Sequence, residues 1–285
     1  MISYIKKIDS LDYPDIHIYL TLKRPKRHRD IGLFVVEGDK VVKRFLRSEH
    51  TAVSVLVTEE LFESYRQDIE QKPEQIAVYI TTADLLQKIV GFHYHQGIMA
   101  VGLVPQSPEI KAVLSKKDEH LFVAVDKLES AENTGVIVRN CAAFGVDAFI
   151  TGETSTDPYL RRSVRNSMGT VFKLPVLYSQ NLPRTLLDLK NKHGFTIIAA
   201  HPRQDSIPLY DMECRGNICI VLGNEGLGIC AEVLKVCDLM VTIPMISGID
   251  SLNVACANAV MLYEIIRRKN LKIEKYRNYQ MPPVL

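Results

Sequence analysis

Ile218-Cys219-Ile220-Val221-Leu222-Gly223-Asn224-Glu225-Gly226-Leu227-Gly228 is the stretch on which the fold turns. An unbroken apolar run stops abruptly at a turn that holds three glycines in six residues. A short run without alternation is what a parallel strand covered on both faces looks like. The glycines permit positive φ and let a ligand approach the backbone closely. Similar runs flank it at 122–125, 148–150, 197–200 and 239–243. Helical patterns fit between them over 131–145 and 182–192, and a long final helix over 252–269. Strand alternating with helix predicts an α/β fold around a parallel sheet. In such sheets ligands sit beyond the carboxyl ends of strands, so function is sought in the loops that follow them.

Upstream of residue 105 a second, smaller alternation is legible. Strands are expected at 33–36, 53–57, 77–80 and 97–104, with helices at 39–47, 59–68 and 82–90. On the first helix Lys40, Lys43, Arg44 and Arg47 fall on one side, and Val41, Val42, Phe45 and Leu46 on the other. The seam runs from Pro105 to Glu119, with Pro108 and the polar string Ser115-Lys116-Lys117-Asp118-Glu119. Residues 1–105 are therefore assigned to one domain, 106–118 to a linker and 119–285 to a second domain.

Composition bounds the function. The chain has 285 residues, 47% apolar and 24% charged, which is globular rather than disordered. Lys plus Arg is 35 and Asp plus Glu 33, a net charge of +2, so affinity for nucleic acid needs local basic patches. No apolar run is long enough to span a membrane, and residues 1–15 lack an apolar signal core, so a cytoplasmic protein is expected. The six cysteines, Cys141, Cys214, Cys219, Cys230, Cys237 and Cys256, show no C-x-x-C spacing. They read as small buried hydrophobes rather than a zinc or disulfide framework. His93 and His95 share a face if their segment is a strand, but have no ligand-type partners at metal spacing. RNA contact or packing suits them better, and no metal is expected.

Three loops carry the chemistry. The first, 126–139, holds Asn133, placed to cap a helix, and Arg139 two turns further on. The second is the glycine turn 223–228. It lacks the Gly-Lys-Ser/Thr ending of a phosphate loop, and its G-x-x-G-x-G spacing is not the dinucleotide G-x-G-x-x-G. The third, 244–254, follows Ile243 and places Ser251 to cap the final helix. No Gly-x-Ser-x-Gly elbow and no His-Glu-x-x-His pair is present, which removes the common hydrolase and metalloprotease readings.

Taken together, Asn133-x-Gly135-x-x-x-Arg139, Leu222 through Gly228, and Ile243-Pro244-Met245 through Ser251-Leu252-Asn253-Val254-Ala255 resemble the SpoU/TrmH family of RNA ribose 2′-O-methyltransferases. The resemblance covers residues 119–269. The first domain is similar, more loosely, to the small α/β substrate-binding domain that often precedes this catalytic domain, through Phe34-Val35-Val36-Glu37-Gly38 and Gln96-Gly97-Ile98-Met99-Ala100-Val101. The resemblance implies an α/β catalytic domain with a deep trefoil knot, a rarity that spacing alone never suggests. It also implies bound S-adenosylmethionine and a homodimer with the active site near the subunit interface. Transferred position by position, it implies a cofactor-binding set of Leu222, Gly223, Asn224, Gly226, Ile243, Pro244, Met245 and Leu252. Arg139 matches the catalytic arginine, and Asn133, Glu225, Ser251 and Asn253 match polar active-site positions.

A ribose hydroxyl is a weak nucleophile and a methyl sulfonium a strong electrophile, so alignment and loss of one proton are the tasks, and no metal is required. Guanidinium is almost always protonated. Arg139 therefore acts either as a strongly perturbed base or as a cation that steadies the developing alkoxide, and both roles stay open. RNA contacts are expected from Lys40, Lys43, Arg44 and Arg47 and from Arg161, Arg162 and Arg165, in a stretch without an acid from 160 to 173. Arg267, Arg268 and Lys269 read as complements of the final helix dipole. Ribosomal RNA is favoured over transfer RNA because of the extra domain. A non-catalytic RNA-binding relative and, more remotely, a nucleotide-dependent oxidoreductase are the rival readings.

Overall fold

The computed structural model describes residues 1–22, 30–90, 97–115, 117–203 and 205–269. His93 and His95 lie outside the described residues. Two sheets organise the chain. The first has the order β1-β4-β3-β5-β2, formed by Ile2–Lys7 (β1), Leu33–Glu37 (β2), Ala52–Thr58 (β3), Ile76–Thr81 (β4) and Ile98–Leu103 (β5). Strands β1, β4 and β3 run parallel, and β5 is antiparallel to both β3 and β2. The second has the order β10-β12-β9-β11-β6-β7-β8 and is parallel throughout. Its strands are Leu121–Val125 (β6), Ala148–Thr151 (β7), Val176–Tyr178 (β8), Phe195–Ala200 (β9), Ile207–Pro208 (β10), Asn217–Leu222 (β11) and Leu239–Thr242 (β12).

The apolar runs fold as expected because both faces of the second sheet are covered. Leu121, Val123 and Val125 of β6 enter one core, while Phe122 and Ala124 enter the other. On β11, Ile218, Ile220 and Leu222 join the first core, and Cys219 and Val221 the second. This is period-two alternation between two apolar environments, so the sequence shows no polar face. Within the stretch assigned to the linker, Ile110–Leu114 is a short helix whose Val113 is buried in the second core.

The glycine of the first loop has a packing cause. Gly135 lies where the helix Ala131–Ala143 crosses the short helix Arg161–Asn166. A Cβ there would come within 2.5 Å of the Ser163 carbonyl oxygen and 2.6 Å of the Asn166 Cβ. Gly135→Ala is expected to cost about 1–3 kcal/mol by overpacking. A thermal melt indistinguishable from that of the parent would show that the two helices can part without loss.

The two sheets share one core. Phe34 and Phe45 of the first unit stack against Tyr159 and Phe172 of the second, at centroid distances of 5.2 and 5.3 Å for Phe34–Tyr159 and Phe45–Phe172. His50 Nε2 and the Tyr159 hydroxyl are 2.9 Å apart. Burial, with Lys72 adding, pushes the His50 imidazole down to about 4, so it stays neutral among these rings. Glu37, buried at the end of β2, accepts from both Arg161 and Arg165, the latter at 3.1 Å. The acid missing from the 160–173 stretch is thus supplied by the other sheet.

Candidate active site

Four carboxyl-terminal strand ends lie side by side: β12, β9, β11 and β6. The loop after β6 is tied to the loop after β11 at its root. The Asp126 amide donates to the Leu222 carbonyl at 2.8 Å, and the Asp126 carboxylate accepts from the Cys230 amide at 2.7 Å. The helix Ala131–Ala143 starts from Ser130, whose hydroxyl accepts from the Asn133 amide at 3.1 Å. Asn133 is therefore not the cap, contrary to the sequence reading. It stands one turn inside, which frees its amide group for the site.

The final helix, Val254–Arg268, is capped in turn by Asn253 rather than Ser251. Asn253 Oδ1 accepts from the amides of Ala255 at 2.9 Å and Cys256 at 3.3 Å. Residues 251–253 are not helical, so only Asn253 stands close enough to the first free amides. Asn140 Nδ2 donates to the Ala255 carbonyl at 2.9 Å and pins the two helices together. At the other end Arg267 and Arg268 bind Glu264, and Arg268 also reaches the Met212 carbonyl, so these charges are locally matched.

The glycine turn is shaped by its own asparagine. Asn224 and Gly228 form an isolated antiparallel bridge, with both N–H···O contacts at 2.9 and 3.0 Å. Asn224 Oδ1 accepts from the amides of Gly226 and Leu227, and its Nδ2 donates to the Lys127 carbonyl. At Gly223 a Cβ would sit 2.3 Å from the Gly228 carbonyl carbon and 2.4 Å from the Ile229 nitrogen. Close backbone approach, rather than its own φ, demands glycine there. Gly228 does need it for conformation, at φ 70°.

This packing aligns three polar side chains. The Glu225 carboxylate accepts from Asn133 Nδ2 at 2.9 Å and from the amides of Ser130 at 3.0 Å and Glu129 at 3.2 Å. Asn133 Oδ1 accepts from Asn253 Nδ2 at 3.0 Å. The chain Glu225–Asn133–Asn253 fixes which way both amides point, because each amide nitrogen then faces an acceptor and each amide oxygen a donor. Burial pushes the Glu225 carboxyl up, but the bonds from Asn133 and the two backbone amides outweigh it and hold it below the usual carboxylate range. Glu225 is an anchoring acceptor and not a proton donor at neutral pH.

A cavity of about 430 Å³ opens between these loops, within the range typical of small-molecule sites. Of the cofactor-binding set, Leu222, Gly223, Asn224, Gly226, Ile243, Met245 and Leu252 line it, and Pro244 does not. Glu225, Ser251 and Asn253 also line it, whereas Asn133 stands behind Glu225. Ala200 and His201, at the end of β9, and Met261 of the final helix are wall residues that the sequence reading missed. No local sequence signal marks His201: β9 lies between β11 and β12 in the sheet, and only that order opens its following loop on the same space.

Arg139 is placed differently. It is exposed on the helix Ala131–Ala143, does not line the cavity of its own chain, and makes no hydrogen bond or ion pair with described residues. Exposed apolar side chains lie on the same helix and on the one packed against it: Val136, Val260 and Tyr263. Arg161 and Arg165 are engaged with Glu37, and Arg162 faces Glu132 at 3.4 Å. Lys40, Lys43, Arg44 and Arg47 line a groove of about 760 Å³ whose opposite wall is Gly169, Phe172 and Lys173. Among the described residues, no group of three His, Cys, Asp or Glu side chains is disposed to hold a metal ion, and no helix is long and apolar enough to cross a membrane.

Comparison with known proteins gives concordant results. Residues 120–263 match the model of the SpoU rRNA methylase family. An uncharacterized tRNA/rRNA methyltransferase of Mycobacterium tuberculosis is 32% identical over 249 residues, covering 86% of this chain and 84% of that protein. The 23S rRNA (guanosine(2553)-2′-O)-methyltransferase RlmP of Bacillus subtilis is 26% identical over 261 residues, covering 92% and 99%. In fold, the chain matches the crystal structure of an AdoMet-bound rRNA methyltransferase from Sinorhizobium meliloti, with a TM-score of 0.81, 23% identity and coverage of 94% and 99%.

Proposed function

Because the chain belongs to the SpoU rRNA methylase family, we propose that it transfers a methyl group from S-adenosylmethionine to a ribose 2′-hydroxyl of structured RNA, with ribosomal RNA as substrate in preference to transfer RNA. The observation that carries this reading is the convergence of the glycine turn, the 243–254 loop and the Glu225–Asn133–Asn253 chain on one cavity. A nucleoside fits that cavity chemically. Leu222, Ile243, Leu252 and Met261 offer an apolar bed, and Gly223 of the glycine turn lines it as well. A buried nitrogen of His201, without a hydrogen-bond partner among the described residues, stands at its edge.

When bound, the sulfonium supplies an electrophilic methyl group. The protein's own task is to hold a ribose hydroxyl in line and to favour its loss of a proton. Asn253 and Ser251 at the mouth orient the ribose, and Asn253 is held in place by Asn133 and by the helix it caps. The Arg139 cation serves as electrostatic partner of the developing alkoxide. Its position outside its own cavity, beside exposed Val136, Val260 and Tyr263, supports a homodimer in which the arginine acts at the subunit junction. The order β9-β11-β6, with a late strand laid between two earlier ones, supports the trefoil knot that the family resemblance implies. An RNA substrate agrees with a cytoplasmic location.

RNA binding falls to residues 1–105 together with the groove at the junction of the two sheets. Arg161 and Arg165 are neutralised by Glu37 and Arg47 pairs with Asp68, so among the described residues the groove's cations without an ion pair are Lys40, Lys43, Arg44 and, across the groove, Lys173. The double variant Lys43→Glu, Lys173→Glu is expected to weaken RNA binding across sequences. It should reduce the slope of log K against log salt by roughly 1.5–2, as loss of two phosphate contacts requires. An unchanged slope would remove the groove from the RNA path.

The functional reading itself is tested by mapping 2′-O-methyl groups in total cellular RNA with and without the protein. A single ribosomal RNA ribose that loses its methyl group is expected. Loss confined to transfer RNA would shift the substrate class, and no loss at all would overturn the reading.

A further inference from the structure

His201 belongs to none of the three family-like loops. It follows β9, the strand flanked by β11 and β12, and so stands between the glycine turn and the Ile243 loop. Its backbone is held on both sides: the amide donates to the Val241 carbonyl at 2.9 Å, and the carbonyl accepts from the Ser206 hydroxyl at 2.8 Å and the Arg203 amide at 3.0 Å. Its ring lines the cavity and lies against the turn, with Cε1 4.0 Å from the place where a Gly228 Cβ would be. Yet Nε2 is buried with no hydrogen-bond partner among the described residues.

A buried imidazole nitrogen left without a partner is costly, on the order of 1–3 kcal/mol, and such groups call for an explanation. Here the backbone fixes the residue while the ring lines the cavity, a space in which a polar ligand group can stand. Burial pushes the imidazole down, with Arg203 adding to this and Asp205 opposing it, so the ring is a neutral donor and acceptor rather than a cation. The ligand group it suits is an uncharged hydroxyl or ring nitrogen.

We propose that His201 binds the nucleoside half of the methyl donor and completes its hydrogen bonding on that half when the donor enters. This rests on the methyltransferase reading above. The apolar bed that suits adenine is made by the loops after β11 and β12, and His201 stands between those loops.

The test is calorimetric and needs no RNA. S-Adenosylhomocysteine and 5′-methylthioadenosine, which lacks the amino-acid tail, are titrated into the full-length protein and into His201→Phe and His201→Gln. His201→Phe keeps the ring volume without the nitrogens, and His201→Gln restores a polar group at similar reach. A rise in Kd of about tenfold for both ligands in His201→Phe, with substantial recovery in His201→Gln and unaltered melting temperatures, is expected. Equal affinities in parent and His201→Phe would overturn the assignment. So would a loss seen for S-adenosylhomocysteine but not for 5′-methylthioadenosine, since that places His201 on the tail. If the parent protein binds neither ligand, the methyltransferase reading fails first, and the two failures are thereby told apart.

Discussion

Replacing Arg139 by alanine is expected to slow methyl transfer by about 10²–10³-fold and to leave donor affinity and thermal stability at parental values. The stability half of this expectation follows from the placement of the side chain. Arg139 is exposed and makes no hydrogen bond or ion pair with described residues, so its truncation leaves no buried partner unmatched. The affinity half follows from the cavity wall, to which Arg139 does not contribute. The activity half follows from the chemistry. An alkoxide developing on ribose needs a nearby cation or donor, and loss of one preorganised group of this kind costs about 10²–10³-fold in rate. Arg139→Lys keeps the charge without the planar fork, and should recover only part of the activity. Turnover is compared with donor binding measured on the same preparations. Retained turnover in Arg139→Ala removes the residue from the mechanism, whereas loss of donor binding together with turnover assigns it a structural role.

The second large effect is structural and lies far from the cavity. Glu37→Gln leaves Arg161, whose side chain is only 17% exposed, without its counter-charge. Removing one member of a buried ion pair typically costs about 3–5 kcal/mol, because the remaining charge stays desolvated. For a chain of this size that lowers Tm by roughly 10 °C. The aromatic contacts of Phe34 and Phe45 with Tyr159 and Phe172 cross the same junction, so the first unit should also become more open to proteolysis near the seam. Adding Arg161→Met to Glu37→Gln removes the stranded charge and should restore much of the loss. A melting curve unchanged by Glu37→Gln would show that water reaches Arg161 and that the pair contributes little.

Much of this architecture was legible because burial writes itself into sequence. The strands β6, β9 and β11 read as apolar runs since both their faces pack, and the basic helix Asp39–Leu46 read correctly as two faces since only one packs. Strand β1 escaped notice for the opposite reason. It pairs only with β4, and most of its residues, Ile-Ser-Tyr-Ile-Lys-Lys, are exposed, so no periodic apolar signal marks it. Strands β8 and β10 are too short to carry one.

The site was legible as motifs but not as roles. Ser130 and Asn133, like Ser251 and Asn253, are pairs of capping residues a few positions apart. Which member caps depends on where the first helical backbone angles fall, and that is set by tertiary packing. The Arg161–Arg165 stretch looked like an unpaired cationic patch because its acid, Glu37, lies 124 residues away from Arg161. His201 escaped because nothing local marks it. Only the adjacency of β9 to β11 and β12 brings it to the cavity.

Incubation of the purified protein with S-adenosylmethionine labelled in its methyl group and with ribosomal RNA, followed by alkaline hydrolysis, meets the reading head-on. A methylated 2′-oxygen cannot attack the neighbouring phosphate. The label is therefore expected in an alkali-resistant dinucleotide, and it should appear about 10²–10³-fold more slowly in the Arg139→Ala reaction. Label released in mononucleotides, which marks methylation of a base, or no incorporation into any RNA offered, would contradict the account.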